Sequence, residues 1–182
     1  MPLTGGRLTP GVVRVGETVR RPRSSASAFT ATLLSYLAAA RLGGGPVVCH
    51  HDPGPNNTVF RAGRPVAFID FDFAAMRDPL EDVGYLAWSW CISSKPDRGG
   101  PAGQARQVRV LADAYGLGAG QRRRLPAAVE QRLLRNEQFW NERVGRASRV
   151  GGGPAPAEVL AWTRRERAFV ARSRAVLVAA LA

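Results

Sequence analysis

The chain has 182 residues, 45% of them hydrophobic: enough for one domain with a sizeable core, or two small lobes, and too apolar for wholesale disorder. Two cysteines, Cys49 and Cys91, exclude a disulfide framework, and no apolar run reaches the roughly 18 residues of a membrane span. The formal net charge is +12, and of the 26 basic residues only Lys95 is a lysine. The opening MPLTGGRLTP lacks the charged start and apolar core of a secretory signal, so a cytoplasmic protein with no membrane partner is expected.

In chain order, Val12, Val13 and Val15 predict a short strand and Gly16-Glu17 a turn. Thr18 to Arg21 predict a second strand, stopped by Pro22. Phe29, Leu33, Leu37 and Ala40 recur at helical spacing and predict a helix to Leu42, broken by Gly43-Gly44-Gly45-Pro46. Val47-Val48-Cys49 reads as a brief apolar strand entering HHDPGPNN. A hairpin follows, TVFR-AGRP-VAFID. A turn centred between Gly63 and Arg64 would set Asn57 directly opposite Asp70. Beyond Asp78-Pro79, helices are expected over roughly 80–93, 103–116, 126–146 and 155–181. Val129, Leu133, Phe139, Trp140 and Val144 are the expected core face of the third. The arginine runs 122–124 and 164–167 read as solvated helix faces, and Trp140 and Trp162 as core.

Charge is unevenly spread. Between His50 and Asp82 lie six acids (Asp52, Asp70, Asp72, Asp78, Glu81, Asp82) and three arginines (Arg61, Arg64, Arg77), so an acidic island sits inside a basic chain. Five of those acids are aspartates, which suit hard cations. Adjacent His50 and His51 would point to opposite faces of a strand, which argues against a metal pair.

The segment from His50 to Asn57 fits H-x-D-x-x-x-x-N, the pattern of a kinase catalytic loop. Such chemistry needs a carboxylate beside the attacking hydroxyl, here Asp52. It needs an amide oxygen five residues on for Mg²⁺, here Asn57. It also needs a further carboxylate at a strand end on the same metal, here Asp70. Asp72 is either support for a second metal or solvated surface. Asp70-x-Asp72 also imitates the nucleophile motif of haloacid-dehalogenase-like phosphatases, but Ala74 and the single lysine do not complete that motif.

These residues resemble the aminoglycoside phosphotransferase/choline kinase-like group of the protein-kinase-like fold. The likeness is carried by VVCHHDPGPNNTVF, VAFIDFDFA and RDPLEDVGYLAW. It implies an α+β architecture with a truncated, β-containing N-lobe (1–46) and a mostly helical C-lobe (47–182). It implies Asp52 as catalytic base, His50 as a brace of the loop, and Asn57 and Asp70 as the Mg²⁺ ligands, with Asp72 as a candidate beside them. Asp78 and Asp82 would hold the loop and the next helix. Gly5, Gly6 and Gly11 would lie near the phosphates of ATP or GTP. Three departures stand out. Only Gly43 to Cys49 separate the lobe helix from the catalytic loop, where the group places further strands, an adenine-gripping hinge and a helix. The phosphate-gripping lysine has no lysine counterpart, and Arg20 or Arg21 is the nearest candidate. The loop's second position, commonly Gly, is His51.

The expected function is transfer of the γ-phosphoryl of ATP or GTP to a hydroxyl of a small molecule. The alternative is a degenerate, internally deleted member that acts as a binding protein, with room for a homodimer that covers the deleted region. Nucleic acid is not an expected partner, because the acids converge on a metal-like site and no nucleic-acid motif accompanies the charge. The basic background disfavours a polycationic acceptor.

Overall fold

In this computed structural model, residues 47–144 and 154–182 are described in full, with the backbone of 13–15 and 18–20. Strands β1 (Val13–Val15) and β2 (Thr18–Arg20) pair antiparallel, Arg14 facing Val19, as the sequence predicts. Gly5, Gly6, Gly11, Arg21 and the Phe29–Leu42 helix lie outside the described residues, as does the side chain of Arg20.

Strand β3 (Val47–Cys49) enters the His50–Asn57 loop and pairs antiparallel with β6 (Ala75–Arg77). The sequence gives no strand signal at Ala75-Met76-Arg77, where three residues fit between a turn and Pro79. Cys49, fully buried, donates from Sγ to the Asp78 carbonyl at 3.3 Å, and burial pushes its thiol up to about 12.

Strands β4 (Thr58–Arg61) and β5 (Arg64–Phe68) form the second hairpin. Its two-residue loop is Ala62-Gly63, with φ of 49° and 75°, the doubly left-handed turn that matches strand twist. The loop is thus one residue shorter and earlier than expected. Arg61 faces Arg64 and Phe60 faces Pro65; an irregularity between Val59 and Phe60 then moves the pairing, so that Val59 faces Ala67 and Thr58 faces Phe68. Asn57 therefore meets Ile69, whose N–H donates to the Asn57 carbonyl at 2.9 Å. Asp70 leaves the ladder with a left-handed backbone, φ 67° and ψ 59°. Asn57 and Asp70 share the hairpin's end but are not cross-strand partners, a correction of one residue.

Helices α1 (Leu80–Leu86), α2 (Pro101–Tyr115), α3 (Ala119–Val144) and α4 (Pro156–Leu181) follow, α1 running on through one wide π turn at 87–91. The third begins seven residues before the expected start. Pro126 suggests a first turn, yet it lies buried inside the helix beside Leu125, and packing of that face outweighs the lost hydrogen bond. Val129 and Leu133 are core as expected. The stripe then passes through Asn136, and Val144 is 44% exposed. Leu80, Val83 and Trp88 from α1, Val108 and Ala112 from α2, Leu125, Val129 and Leu133 from α3, and Val170 and Leu177 from α4 make one core. Each large side chain buried there contributes about 1.5–3 kcal/mol. Trp88 stacks on Trp162, ring centroids 5.3 Å apart.

Polar ties register the helices. Asn136 Nδ2 donates to Thr163 Oγ1 at 2.8 Å in the core. Glu166 interrupts the arginine run 164–167 and is fully buried, accepting both N–H and Oγ–H of Ser94. Arg164 and Arg167 in the same run pair with Glu137. That run is therefore only partly a solvated face, and its one acid faces inward to hold the loop after α1. Among the described residues no helix is long and apolar enough to cross a membrane.

Gly84 sets how closely α1 crosses α3. A Cβ built there would lie 2.9 Å from the Ala128 carbonyl carbon and 3.1 Å from its oxygen, both backbone atoms that cannot swing aside. Gly84→Ala is expected to lower unfolding free energy by about 1–3 kcal/mol through this overpacking. Urea denaturation reads it, and an unchanged midpoint would show that the helices separate freely.

Candidate active site

The His50–Asn57 loop is held from several sides. The Asp82 carboxylate, one turn into α1, accepts the backbone N–H of His50 at 2.5 Å on one oxygen and that of His51 at 2.8 Å on the other. The buried His50 ring is fixed at both nitrogens. Nδ1 accepts the Asp52 N–H at 3.2 Å and Nε2 donates to the Ile69 carbonyl at 2.9 Å, so the network assigns the Nε2–H tautomer. Phe68 and Phe71 pack on that ring, with centroids at 5.7 and 4.3 Å. His50 thus ties the loop to the end of the β4–β5 hairpin. Farther along, Asn57 Nδ2 donates to the Asp52 carbonyl at 2.9 Å, Thr58 Oγ1 to the Gly54 carbonyl at 3.0 Å, and Trp90 Nε1 to the Pro53 carbonyl at 3.2 Å.

Asp52 is half-buried. Its Oδ1 accepts the hydroxyl of Tyr85, which projects from α1, and among the described residues its Oδ2 has no partner. Burial, and then the charge of Asp52, hold the Tyr85 phenol far above its ordinary range, so Tyr85 remains a donor. The Arg132 guanidinium lies over the Tyr85 ring at 4.4 Å. Neither Tyr85 nor Arg132 is singled out by the sequence. Tyr85 falls inside RDPLEDVGYLAW at a position with no motif role, and Arg132 sits on a helix face that reads as solvated.

Asp70 is exposed at the hairpin end, and Asp72 lies half-buried in the 3-10 turn Phe71–Phe73. The structure therefore brings His50, Asp52, Asn57 and the 69–70 corner into one constellation. Asp78 accepts the Leu80 N–H at 3.0 Å and so closes the first turn of α1. That bond, followed by Arg124, lowers its carboxyl below the ordinary value.

His51 occupies the loop position where the resembled family commonly has Gly. Its φ of 65° is left-handed, which explains a glycine preference there. Histidine tolerates this backbone better than most residues, at a cost of about 1–3 kcal/mol. Burial lowers the His51 pKa from the ordinary 6.5, against the opposing pull of Asp82 and Glu81. Its folded form therefore binds a proton less readily than its unfolded form. Stability from this group is present above the ordinary value and falls as pH drops below it. His51→Gly is expected to keep or raise stability at pH 8 and to shrink the loss between pH 8 and pH 5. Urea titrations at both values read this, and an unchanged pH difference would remove His51 from the account.

Comparison with known proteins bears on what this loop does. The model of the phosphotransferase enzyme family matches residues 12–127, which span β1 to the first half of α3 and contain the whole constellation. The chain is also 30% identical over 145 residues to the trifolitoxin immunity protein of Rhizobium leguminosarum bv. trifolii, an alignment covering 75% of this chain and 54% of that protein. The chain thus spans about half the length of the curated relative it matches. By the reach of the family match, the chain belongs to the phosphotransferase enzyme family, and the kinase-like fold follows from that membership.

Proposed function

We propose that the chain transfers the γ-phosphoryl group of ATP or GTP to a hydroxyl of a small molecule, with Asp52 as catalytic base. The observation that carries this reading is the division of labour on the Asp52 carboxylate. Tyr85 occupies Oδ1 and fixes the plane of the group, while Oδ2 remains open to accept the proton of an acceptor hydroxyl. The loop around it is pinned at His50, His51, Pro53 and Asn57, so the base is pre-positioned.

In this reading magnesium would be held by hard oxygen donors, and among the described residues no cluster of three or more His, Cys, Asp or Glu side chains forms a metal site by itself. Asn57 directs its Nδ2 to the Asp52 carbonyl, which fixes the amide and leaves Oδ1 as the free acceptor. With the carboxylates of Asp70 and Asp72 this is a hard-oxygen donor set, and magnesium needs few protein ligands. When bound, the ion would neutralise charge on the transferred phosphoryl group. His50 holds the corner between the two ligand positions through the Ile69 carbonyl. Gly5, Gly6, Gly11, Arg20 and Arg21 belong to this reading as nucleotide-side candidates.

The acceptor follows charge. Outside the His50–Asp82 island the chain is strongly basic, which favours an anionic or neutral hydroxyl compound over a polycation such as an aminoglycoside. The name of the immunity protein puts toxin-like molecules among the acceptors worth testing. A second reading, a binding protein without turnover, draws on the few residues, Gly43 to Cys49, between the expected lobe helix and the His50–Asn57 loop.

Asp52→Asn separates the two. Nucleotide turnover with magnesium and a panel of hydroxyl acceptors is expected to fall about 10²–10⁴-fold, with thermal stability little changed. Turnover that survives in the variant overturns the base assignment. Absence of both turnover and magnesium–nucleotide binding in the natural chain overturns the enzyme.

A further inference from the structure

A cavity of about 240 Å³ lies between the start of α1 and the first half of α3. Its charged lining is Asp78 and Glu81 on one side and Arg124, Arg132 and Arg135 on the other, with His51 at the loop. Both acids are engaged. Asp78 pairs with Arg124, and Arg135 grips both oxygens of Glu81. Arg132 is the surplus cation. Its guanidinium rests on the Tyr85 ring, no carboxylate lies within 4 Å of it among the described residues, and its buried Nε has no hydrogen-bond partner. Burial lowers its pKa, yet a guanidinium keeps its proton at any ordinary pH. The Asp52 charge and the Tyr85 hydroxyl favour the cation, but its buried Nε is left without an acceptor, which is costly, so the site has an unfilled hydrogen-bonding place.

We propose that the α1–α3 cavity binds a small oxyanion, a phosphate or carboxylate group, on Arg132, with Arg124 and Arg135 at its rim. Three arginines against two acids, beside a histidine whose burial favours the neutral ring, leave the lining positive. The planar fork of a guanidinium suits either oxyanion. The volume takes a free anion or the anionic end of a larger molecule, and is smaller than a typical pocket for a whole cofactor. This site is not the nucleotide side, which lies at the Asn57–Asp70 corner. It still communicates with the centre. Arg132 stacks on Tyr85 and Tyr85 donates to Asp52, so drawing the guanidinium toward an anion loosens its hold on the ring that orients the base.

Calorimetric titration of the full chain with inorganic phosphate tests this, without nucleotide or magnesium and with ionic strength held constant by chloride. Acetate, titrated in parallel, is the carboxylate probe. Saturable binding at one site is expected for at least one of the two, and the stronger probe identifies the ligand class. Arg132→Gln should weaken it at least tenfold, whereas Arg109→Gln on exposed α2 should leave it unchanged. If Arg132→Gln fails to fold by circular dichroism, Ala127→Leu fills the cavity with every arginine retained and should weaken binding by a similar factor. No saturable binding of either anion overturns the proposal. So does binding that survives both variants, or that is lost with Asn57→Ala while persisting in Arg132→Gln.

Discussion

The active-site half of the molecule hangs on one carboxylate. Asp82 takes the N–H groups of His50 and His51 on its two oxygens, at 2.5 and 2.8 Å, and so fastens the His50–Asn57 loop to the first turn of α1. Hydrogen bonds to a charged acceptor are worth about 1.5–3 kcal/mol each, roughly twice a neutral bond. Two of them on consecutive residues hold His51 in its left-handed backbone. With that turn made, His50 Nδ1 meets the Asp52 N–H and its Nε2 reaches the Ile69 carbonyl. Asp52 is then delivered to Tyr85, which stands three residues after Asp82 on the same helix. One helix therefore supplies both the anchor of the loop and the hydroxyl that meets Asp52. Its own position is set by Gly84, where close approach to Ala128 leaves no room for a side chain.

Much of the site was legible because its residues sit close together in sequence. His50, Asp52 and Asn57 share one loop, and Asp82 sits in a motif whose family resemblance implies a role in holding that loop. The hairpin was legible in kind but not in register. A two-residue turn and an irregularity at Val59/Phe60 each move the pairing, and neither is written in the alternation of side chains. Strand β6 was invisible because three residues cannot show a period. Pro126 misled for a physical reason: a helix start is where proline is cheapest, but burial beside Leu125 stabilises a helix that passes through it. Tyr85, Arg132 and Glu166 were missed because their roles are tertiary. Each is a polar residue on a helix with no motif role of its own, and only the packing of α1, α3 and α4 gives it a partner.

The basic charge takes on a more definite meaning in the structure. Several arginines are structural cations: Arg122 pairs with Asp113, Arg124 with Asp78, Arg135 with Glu81, Arg164 and Arg167 with Glu137, and Arg174 with Glu130. Such exposed pairs contribute little singly, but they bind helix to helix in a consistent direction. Arg132 is different in lying over the Tyr85 ring, with its Nε buried and without an acceptor. The acidic island divides in the same way. Asp78, Glu81 and Asp82 are committed to holding α1 and the loop, whereas Asp52, with Tyr85 on one oxygen, is the carboxylate of the proposed chemistry.

The clamp by Asp82 is the claim on which the rest depends, and amide hydrogen exchange tests it most directly. The His50 and His51 N–H groups, though they lie in a loop, should exchange as slowly as core helix amides. In Asp82→Ala they should exchange orders of magnitude faster while the amides of α3 and α4 stay protected. Fast exchange of both amides in the natural chain, or protection that is unchanged without the Asp82 carboxylate, would contradict the account.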